Sequence, residues 1–392
     1  MIPNFSFSTT PDIQFGSEAR QNLPELLAGF GTRVLLATGQ HSFDHSVAGQ
    51  ELLAMLSRFD LRRIRIEGEP SPEIVDNAVR EFREFSPHVV VAIGGGSAID
   101  AAKAIAGLLP SGDSVMDYLE GVGQGKAYHG PSTPLVAVPT TAGTGGETSK
   151  NAVLSVVGEK GFKKSFRHDC LVAKSIILDP ELTRSCPAEI TAACGMDAFT
   201  QLLESYVASK AGPMTDALAL SGLEAVRDGL VMAVEEGDDI GARSRMLYAS
   251  SISGLTLANA GLGSVHGLAS PLGAFFPIPH GVVCGTLLFD AIRINIRALL
   301  QRDPQNPALE KYAVAGRIFA RQANLAPEAA REALLGIIQA WSGRFAMPRL
   351  SQFGVAKSDI PRIVASARGN SMQTNPVRLT DDEIAELIGS RL

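Results

Sequence analysis

Residues 88–109 read HVVVAIGGGSAIDAAKAIAGLL, an apolar run, a glycine turn and an alanine-rich stretch. The run Val89–Ile93 carries no polar side chain, as a strand buried on both faces requires. Gly94, Gly95 and Gly96 then turn the chain, and helical periodicity begins. Strand, tight turn and helix in succession form the repeating unit of a parallel α/β sheet. The same alternation surrounds this unit. RVLLATG (33–39) reads as a strand ending at glycine, 47–59 as a helix, and LRRIRIEG (61–68) as a second strand. SPEIVDNAVREFREF (71–85) opens with a Ser71 cap and Pro72 in the first turn, a helix start. PLVAVPTT (134–141) and SIILDPE (175–181) are further strands. Upstream, one or two short strands around Pro11 lead into a helix over 17–27.

The glycine turn carries the first chemistry. Without Cβ atoms, backbone N–H groups at Gly94–Gly96 can approach a ligand closely, and the following helix aims its positive end there. That describes a phosphate cradle, with a purely structural sharp turn as the alternative. The spacing matches neither GxGxxG nor a P-loop. Asp100 and Lys103 lie three apart on one helix face, where the lysine can reach a ribose or nicotinamide and the aspartate can hold it or a hydroxyl. A second polar loop, PTTAGTGGETS (139–149), offers Thr140, Thr141 and Thr144 beside three glycines. Both loops follow strands and should open at the same carboxyl edge of the sheet, where ligands bind.

From Pro187 onward the pattern is helical. GLGSVHGLASPLGAFFPIPHGVVCG (261–285) contains two of the seven histidines, His266 and His280, among apolar residues. Pro271, Pro277 and Pro279 lie between them, so one straight helix cannot carry both. Two imidazoles brought together from separate elements suit Zn²⁺ or Fe²⁺, and two unrelated core histidines are the alternative. In GMDAFTQLLESYVAS (195–209), Asp197 and Gln201 share a helix face. Asp197 could instead be a helix N-cap after Gly195 and Met196. The tail from Thr380 reads as a capped amphipathic helix.

A chain of 392 residues with 45% apolar and 19% charged residues is expected to fold as two domains. Its net charge of −6 gives no reason to approach nucleic acid or anionic lipid. The first residues do not resemble a signal peptide, and no apolar segment is long enough for a bilayer. Cys170, Cys186, Cys194 and Cys284 form no CxxC pair and read as reduced thiols, consistent with a cytoplasmic protein.

Together these stretches, with KSFRHDCLVAKSIILDPELT (164–183) and TNPVRLTDDEIAELI (374–388), resemble the iron-containing alcohol dehydrogenases of the dehydroquinate synthase-like superfamily. The resemblance implies an α/β dinucleotide-binding domain over 1–182 and an all-helical metal and substrate domain over 183–392, with the active site between them. It implies metal-dependent, NAD(P)-linked hydride transfer on a small alcohol, aldehyde or ketone, and a homodimer. The cofactor pyrophosphate would lie on Gly95, Gly96 and Ser97, with Asp100 and Lys103 near the nicotinamide ribose and Thr140, Thr141, Thr144 and Lys163 along the cleft. NAD-preferring relatives often end the first strand in Thr-Asp. Here Thr38 is followed by Gly39, which with Ser42 is placed among the cofactor residues, so NADP is admitted and slightly favoured. The expected ligands of Fe²⁺ or Zn²⁺ are Asp197, Gln201, His266 and His280, of which Asp197, His266 and His280 are also the catalytic residues. Gln201 stands where iron-dependent relatives have a fourth, histidine ligand, and its amide oxygen is a weaker donor. Ser270 likewise replaces a histidine near the substrate. A sugar-phosphate cyclase and a catalytically silent cofactor-binding homologue are the alternatives.

Overall fold

The computed structural model describes residues 5–8, 10–40 and 42–392. Eight strands are present among them: β1 (Asp12–Phe15), β2 (Arg33–Gly39), β3 (Asp60–Ile66), β4 (Val89–Gly94), β5 (Leu135–Pro139), β6 (Asn151–Val156), β7 (Phe162–Arg167) and β8 (Ser175–Leu178). Six of them form one parallel sheet in the order β1-β8-β5-β4-β2-β3. Helices α1 (Leu23–Ala28), α2 (Ser42–His45), α3 (Val47–Leu56), α4 (Pro72–Phe82) and α5 (Gly96–Leu108) are the connections within it.

Period-two alternation sorts each central strand between two cores. Val34, Leu36, Val89, Val91 and Ile93 point to one face, where Leu23, Leu27, Leu52 and Leu56 of α1 and α3 cover them. Leu35, Ala37, Val90 and Ala92 point to the other, against Val75, Val79 and Phe82 of α4 and the small side chains of α5. Each leucine or valine fully buried this way stabilises the fold by about 1.5–3 kcal/mol. Ser71 caps α4 by accepting the Ile74 N–H at 3.3 Å, a contact typically contributing about 1 kcal/mol.

β2 has β3 on one side and β4 on the other, so chain direction across the sheet reverses between β2 and β4. The carboxyl ends of these two strands therefore flank the crevice where ligands bind in doubly wound folds. Gly39 and Gly94–Ser97 end up there.

Two features differ from expectation. The helix expected over 17–27 is a 3₁₀ turn, Ala19–Asn22, followed by α1, which Pro24 helps to start. The antiparallel pair β6–β7 was not anticipated, because NAVLSV and FKKSFR alternate weakly and Val157–Gly161 carries no two-residue hairpin signal.

No strand follows β8 among the described residues; the remainder is α6 (Ala188–Val207), α7 (Pro213–Glu235), α8 (Ile240–Ala260), α9 (Ser264–Phe275), α10 (His280–Arg302), α11 (Pro307–Ala320), α12 (Pro327–Arg344), α13 (Ile360–Ser366), α14 (Asn370–Gln373) and α15 (Asp381–Gly389). Thr380 caps α15 reciprocally with Glu383. Pro271 sits inside α9, and the break falls later, at Phe276–Pro279, with Phe276 in extended backbone (φ −133°, ψ 150°). No helix of the described residues is long and apolar enough to cross a membrane.

The helical half meets the sheet through α8. A Cβ on Gly254 would lie 2.1 Å from the Gly145 carbonyl oxygen, so the Pro139–Ser149 loop rests directly on that helix. Thr148 Oγ1 lies 3.1 Å from the Ser251 carbonyl oxygen, close enough to donate across the same contact.

Candidate active site

Three helices bring four donor side chains to one point. Asp197 comes from the interior of α6, not from its N-cap; His266 from the first turn of α9; His280 and Cys284 from the first turns of α10. One donor atom of each lies within 4.8 Å of all the others. Asp197 Oδ1 is 3.2 Å from His266 Nε2 and 3.7 Å from His280 Nε2. The start of α10 reaches this point because Gly281 has no side chain, and a Cβ there would sit 2.5 Å from the Ala193 carbonyl oxygen of α6. Asp197, His266 and Cys284 are buried, while His280 is partly open to the cleft.

Neighbouring groups fix the orientation of these donors. His266 Nδ1 donates to Glu204 Oε2 at 2.7 Å, and Glu204 Oε1 accepts the Val265 N–H at 2.7 Å. The other imidazole nitrogen is thereby turned toward Asp197, the arrangement in which a histidine presents Nε2 to a metal. Glu204 lies seven residues after Asp197 on the same face of α6, a spacing legible in the sequence but not used there. Burial pushes the Asp197 carboxyl up, but His280 and His266 outweigh it and hold its pKa at about 2. Burial lowers His280 to about 4 despite Asp197. The same desolvation opposes charge on His266, yet Cys284, Asp197 and Glu204 raise its pKa well above the ordinary value. An ionised carboxylate, a neutral imidazole at His280 and further nitrogen and sulfur donors converging on one point have the chemistry a divalent cation requires.

Gln201 is oriented differently from expectation. Its Nε2 donates to Asp197 Oδ1 at 3.1 Å, and its Oε1 accepts from Ser253 Oγ at 2.7 Å. The amide oxygen thus points away from the cluster and is held by α8. Cys284, read from the sequence only as a reduced thiol, stands in the group instead, and its i, i+4 spacing from His280 was the available signal.

At the sheet edge the expected cofactor residues largely assemble. The Thr140 N–H donates to the Gly94 carbonyl at 3.0 Å. Cβ atoms on Gly95 and Gly96 would lie 3.4 and 3.0 Å from the hydroxyls of Thr141 and Thr144, so the two loops line one groove. Gly95 caps α5 with no side-chain partner, leaving the helix N-terminus to the groove, with Ser97 in its first turn. Gly39 ends β2 beside Gly94. The side chain of Ser42 lies outside the described residues. Asp100 stays partly exposed, and burial raises its pKa to about 6 against the pull of Lys103.

Lys103 does not reach the groove. It is 0% exposed, and its ammonium donates to the Gly146 carbonyl, to Ser149 Oγ at 3.0 Å and to the Asn151 carbonyl at 2.9 Å. Three N–H bonds meet three acceptors, so the expected ribose contact is replaced by a tie between α5 and the second loop. The cause is that α5 is buried nearly all round, which turns this position toward β6.

Lys163 lies at the cleft, over Gly273 of α9, while Lys164 faces out. Its amine pairs with Glu69, a residue missed in the sequence, which also accepts from Ser155 Oγ at 2.8 Å. Ser270 Oγ donates to the Lys163 carbonyl at 2.8 Å, fastening α9 to β7.

The chain matches the model of iron-containing alcohol dehydrogenase over residues 10–180 and that of the C-terminal part of the Fe-containing alcohol dehydrogenase family over 191–392. It is 34% identical to alcohol dehydrogenase 4 of Saccharomyces cerevisiae over 85% of this chain and 84% of the relative. It is 32% identical to an NAD-dependent methanol dehydrogenase of Bacillus methanolicus over 90% of each. Among solved structures, a 1,3-propanediol oxidoreductase superposes with a TM-score of 0.89 at 29% identity, covering 100% of both chains. With both halves matched and the helices converging as described, this chain belongs to the iron-containing alcohol dehydrogenase family, oxidoreductases acting on the CH–OH group.

Proposed function

We propose that Asp197, His266 and His280 hold a divalent ion, Fe²⁺ or Zn²⁺, and that NAD or NADP lies along the carboxyl edge of the sheet. Small primary alcohols and their aldehydes are the proposed substrates. The observation that carries this reading is the convergence of three donor-bearing helices on one point, with His266 already oriented by Glu204. When bound there, the ion supplies Lewis-acid polarisation of the substrate oxygen, and the nicotinamide gives or takes the hydride. Asp197 stays ionised to neutralise that ion. The free N-terminus of α5, with Gly95, Gly96 and Ser97, binds pyrophosphate, and Thr140, Thr141 and Thr144 hold the cofactor from the facing loop. Asp100 orients a ribose hydroxyl. Lys163, paired with Glu69, faces the cleft. Ser270, fastened to the Lys163 carbonyl, brings no imidazole to the substrate's proton.

NADP use is supported at the end of β2. Gly39 brings no carboxylate, and Asp44, the nearby acid, is paired with Arg63 at 2.5 Å and Arg65 at 3.1 Å. Arg65 is more than half exposed and available to a 2′-phosphate. We also propose the division of the chain between residues 182 and 183. A homodimer is proposed from the family resemblance, with Ile13 and Phe15 of edge strand β1 exposed. A cytoplasmic location is supported by four unpaired cysteines.

Initial rates with NADH and NADPH across a panel of short aldehydes test the reading, on chelator-treated protein before and after Fe²⁺ or Zn²⁺. Metal-restored turnover with either cofactor supports it. No turnover under any metal condition overturns it.

A further inference from the structure

We propose that the thiolate of Cys284 is the fourth protein ligand of the ion, occupying the role that Gln201 does not fill. The inference rests on the metal-site reading above and goes beyond it, since three ligands suffice for that reading. Cys284 Sγ lies 3.7 Å from His266 Nε2 and 3.9 Å from His280 Nε2. Metal–nitrogen bonds of about 2.0–2.1 Å and metal–sulfur bonds of about 2.3 Å place neighbouring donors of a tetrahedron roughly 3.3–3.6 Å apart. Four of the six separations among Asp197, His266, His280 and Cys284 run from 3.2 to 3.9 Å and all six lie within 4.8 Å, close to that spacing, so small rotamer adjustments close the shell.

Gln201 presents the wrong atoms. Its amide nitrogen faces Asp197 and its oxygen is taken by Ser253, and reversing the amide would set its oxygen against the Asp197 carboxylate. Cys284 is 0% exposed and sits one turn after His280 on α10, so one helix delivers two adjacent donors. On binding, the Sγ–H proton passes to solvent as the sulfur–metal bond forms. With the ion bound, the partly open side at His280 would leave room for a substrate oxygen. A soft thiolate in the set also suits Zn²⁺ better than a fourth nitrogen or oxygen donor would.

Cobalt reports both layers separately. Full-length, chelator-treated protein is given one equivalent of Co²⁺ and its spectrum recorded. Intense visible bands of a four- or five-coordinate ion together with a near-ultraviolet thiolate-to-cobalt charge-transfer band are expected. Cys284→Ser should lose the near-ultraviolet band and weaken cobalt affinity by at least about 100-fold, the upper end of what loss of an outer-shell partner costs. Cys194→Ser should keep the band. Visible bands without the charge-transfer band in the unaltered protein would leave the metal site standing and overturn the role of Cys284. Absence of any cobalt bands would overturn both. Should Cys284→Ser misfold, X-ray absorption at the zinc edge of the unaltered protein decides alone. A sulfur neighbour at about 2.3 Å supports the proposal, and a shell of only nitrogen and oxygen contradicts it.

Discussion

Two buried clusters of ionisable groups flank the cleft, and they differ in what their donor atoms face. Around Lys103, with Asp100 and Glu147 nearby, the three ammonium hydrogens all meet protein acceptors. Around Asp197, His266 and His280 the donors instead face one another across a space of metal-ligand dimensions. In sequence the two look alike, a carboxylate and a second polar group three or four residues apart on a helix. What separates a structural tie from a binding site is whether the donors are satisfied by the fold itself.

The largest way to break this contrast is to remove an open donor. Asp197→Ala should lower kcat per folded chain by on the order of 10³-fold, because the Lewis-acid contribution is worth several kcal/mol, and should lose the bound metal. Steady-state kinetics, metal content and a melting curve on one preparation check it. Lys103→Met should behave in the opposite way. Removing one partner of a buried charge group costs about 3–5 kcal/mol, read as a lower denaturation midpoint, with metal content per folded chain unchanged. A lysine that touched the cofactor would instead raise the KM for NAD(P).

Glu204→Gln sharpens the first cluster. The amide can still meet His266 Nδ1 but no longer carries charge, so metal affinity should fall about 10- to 100-fold, measured by competition with a chelator.

The smallest effect concerns pH. Burial raises the Glu147 pKa to about 7, against an ordinary value of 4.5, with Lys103 opposing it. A raised folded-state value means the group favours folding below its unfolded pKa, and that contribution is lost as pH rises through the folded value. Glu147→Gln should therefore gain stability relative to the unaltered protein between pH 5 and pH 8, by at most about 3 kcal/mol. Paired melting curves at the two pH values give the difference. An equal offset at both would contradict the buried charge.

The sheet was legible because parallel strands buried on both faces become continuous apolar runs, as in Val89–Ile93. β6 and β7 were not, because their residues alternate weakly and no two-residue turn signal joins them. Asp197, His266 and His280 could be named as candidate donors because the family resemblance joins the aspartate to two histidines that the intervening prolines set on separate elements. The direction of Lys103 could not, because a helical position does not state which neighbour will cover it. Gln201 shows the same limit: its residue type allowed a ligand, and Ser253, brought in by α8, turned its oxygen away.

The most direct test is metal content measured side by side on the unaltered protein, His280→Ala and Lys103→Met, each reconstituted with Zn²⁺, desalted and shown to be folded. A stoichiometric ion is expected in the unaltered protein and in Lys103→Met, and loss of that ion in His280→Ala. Full retention of the ion by His280→Ala, or none in the unaltered protein, would contradict the proposed metal site.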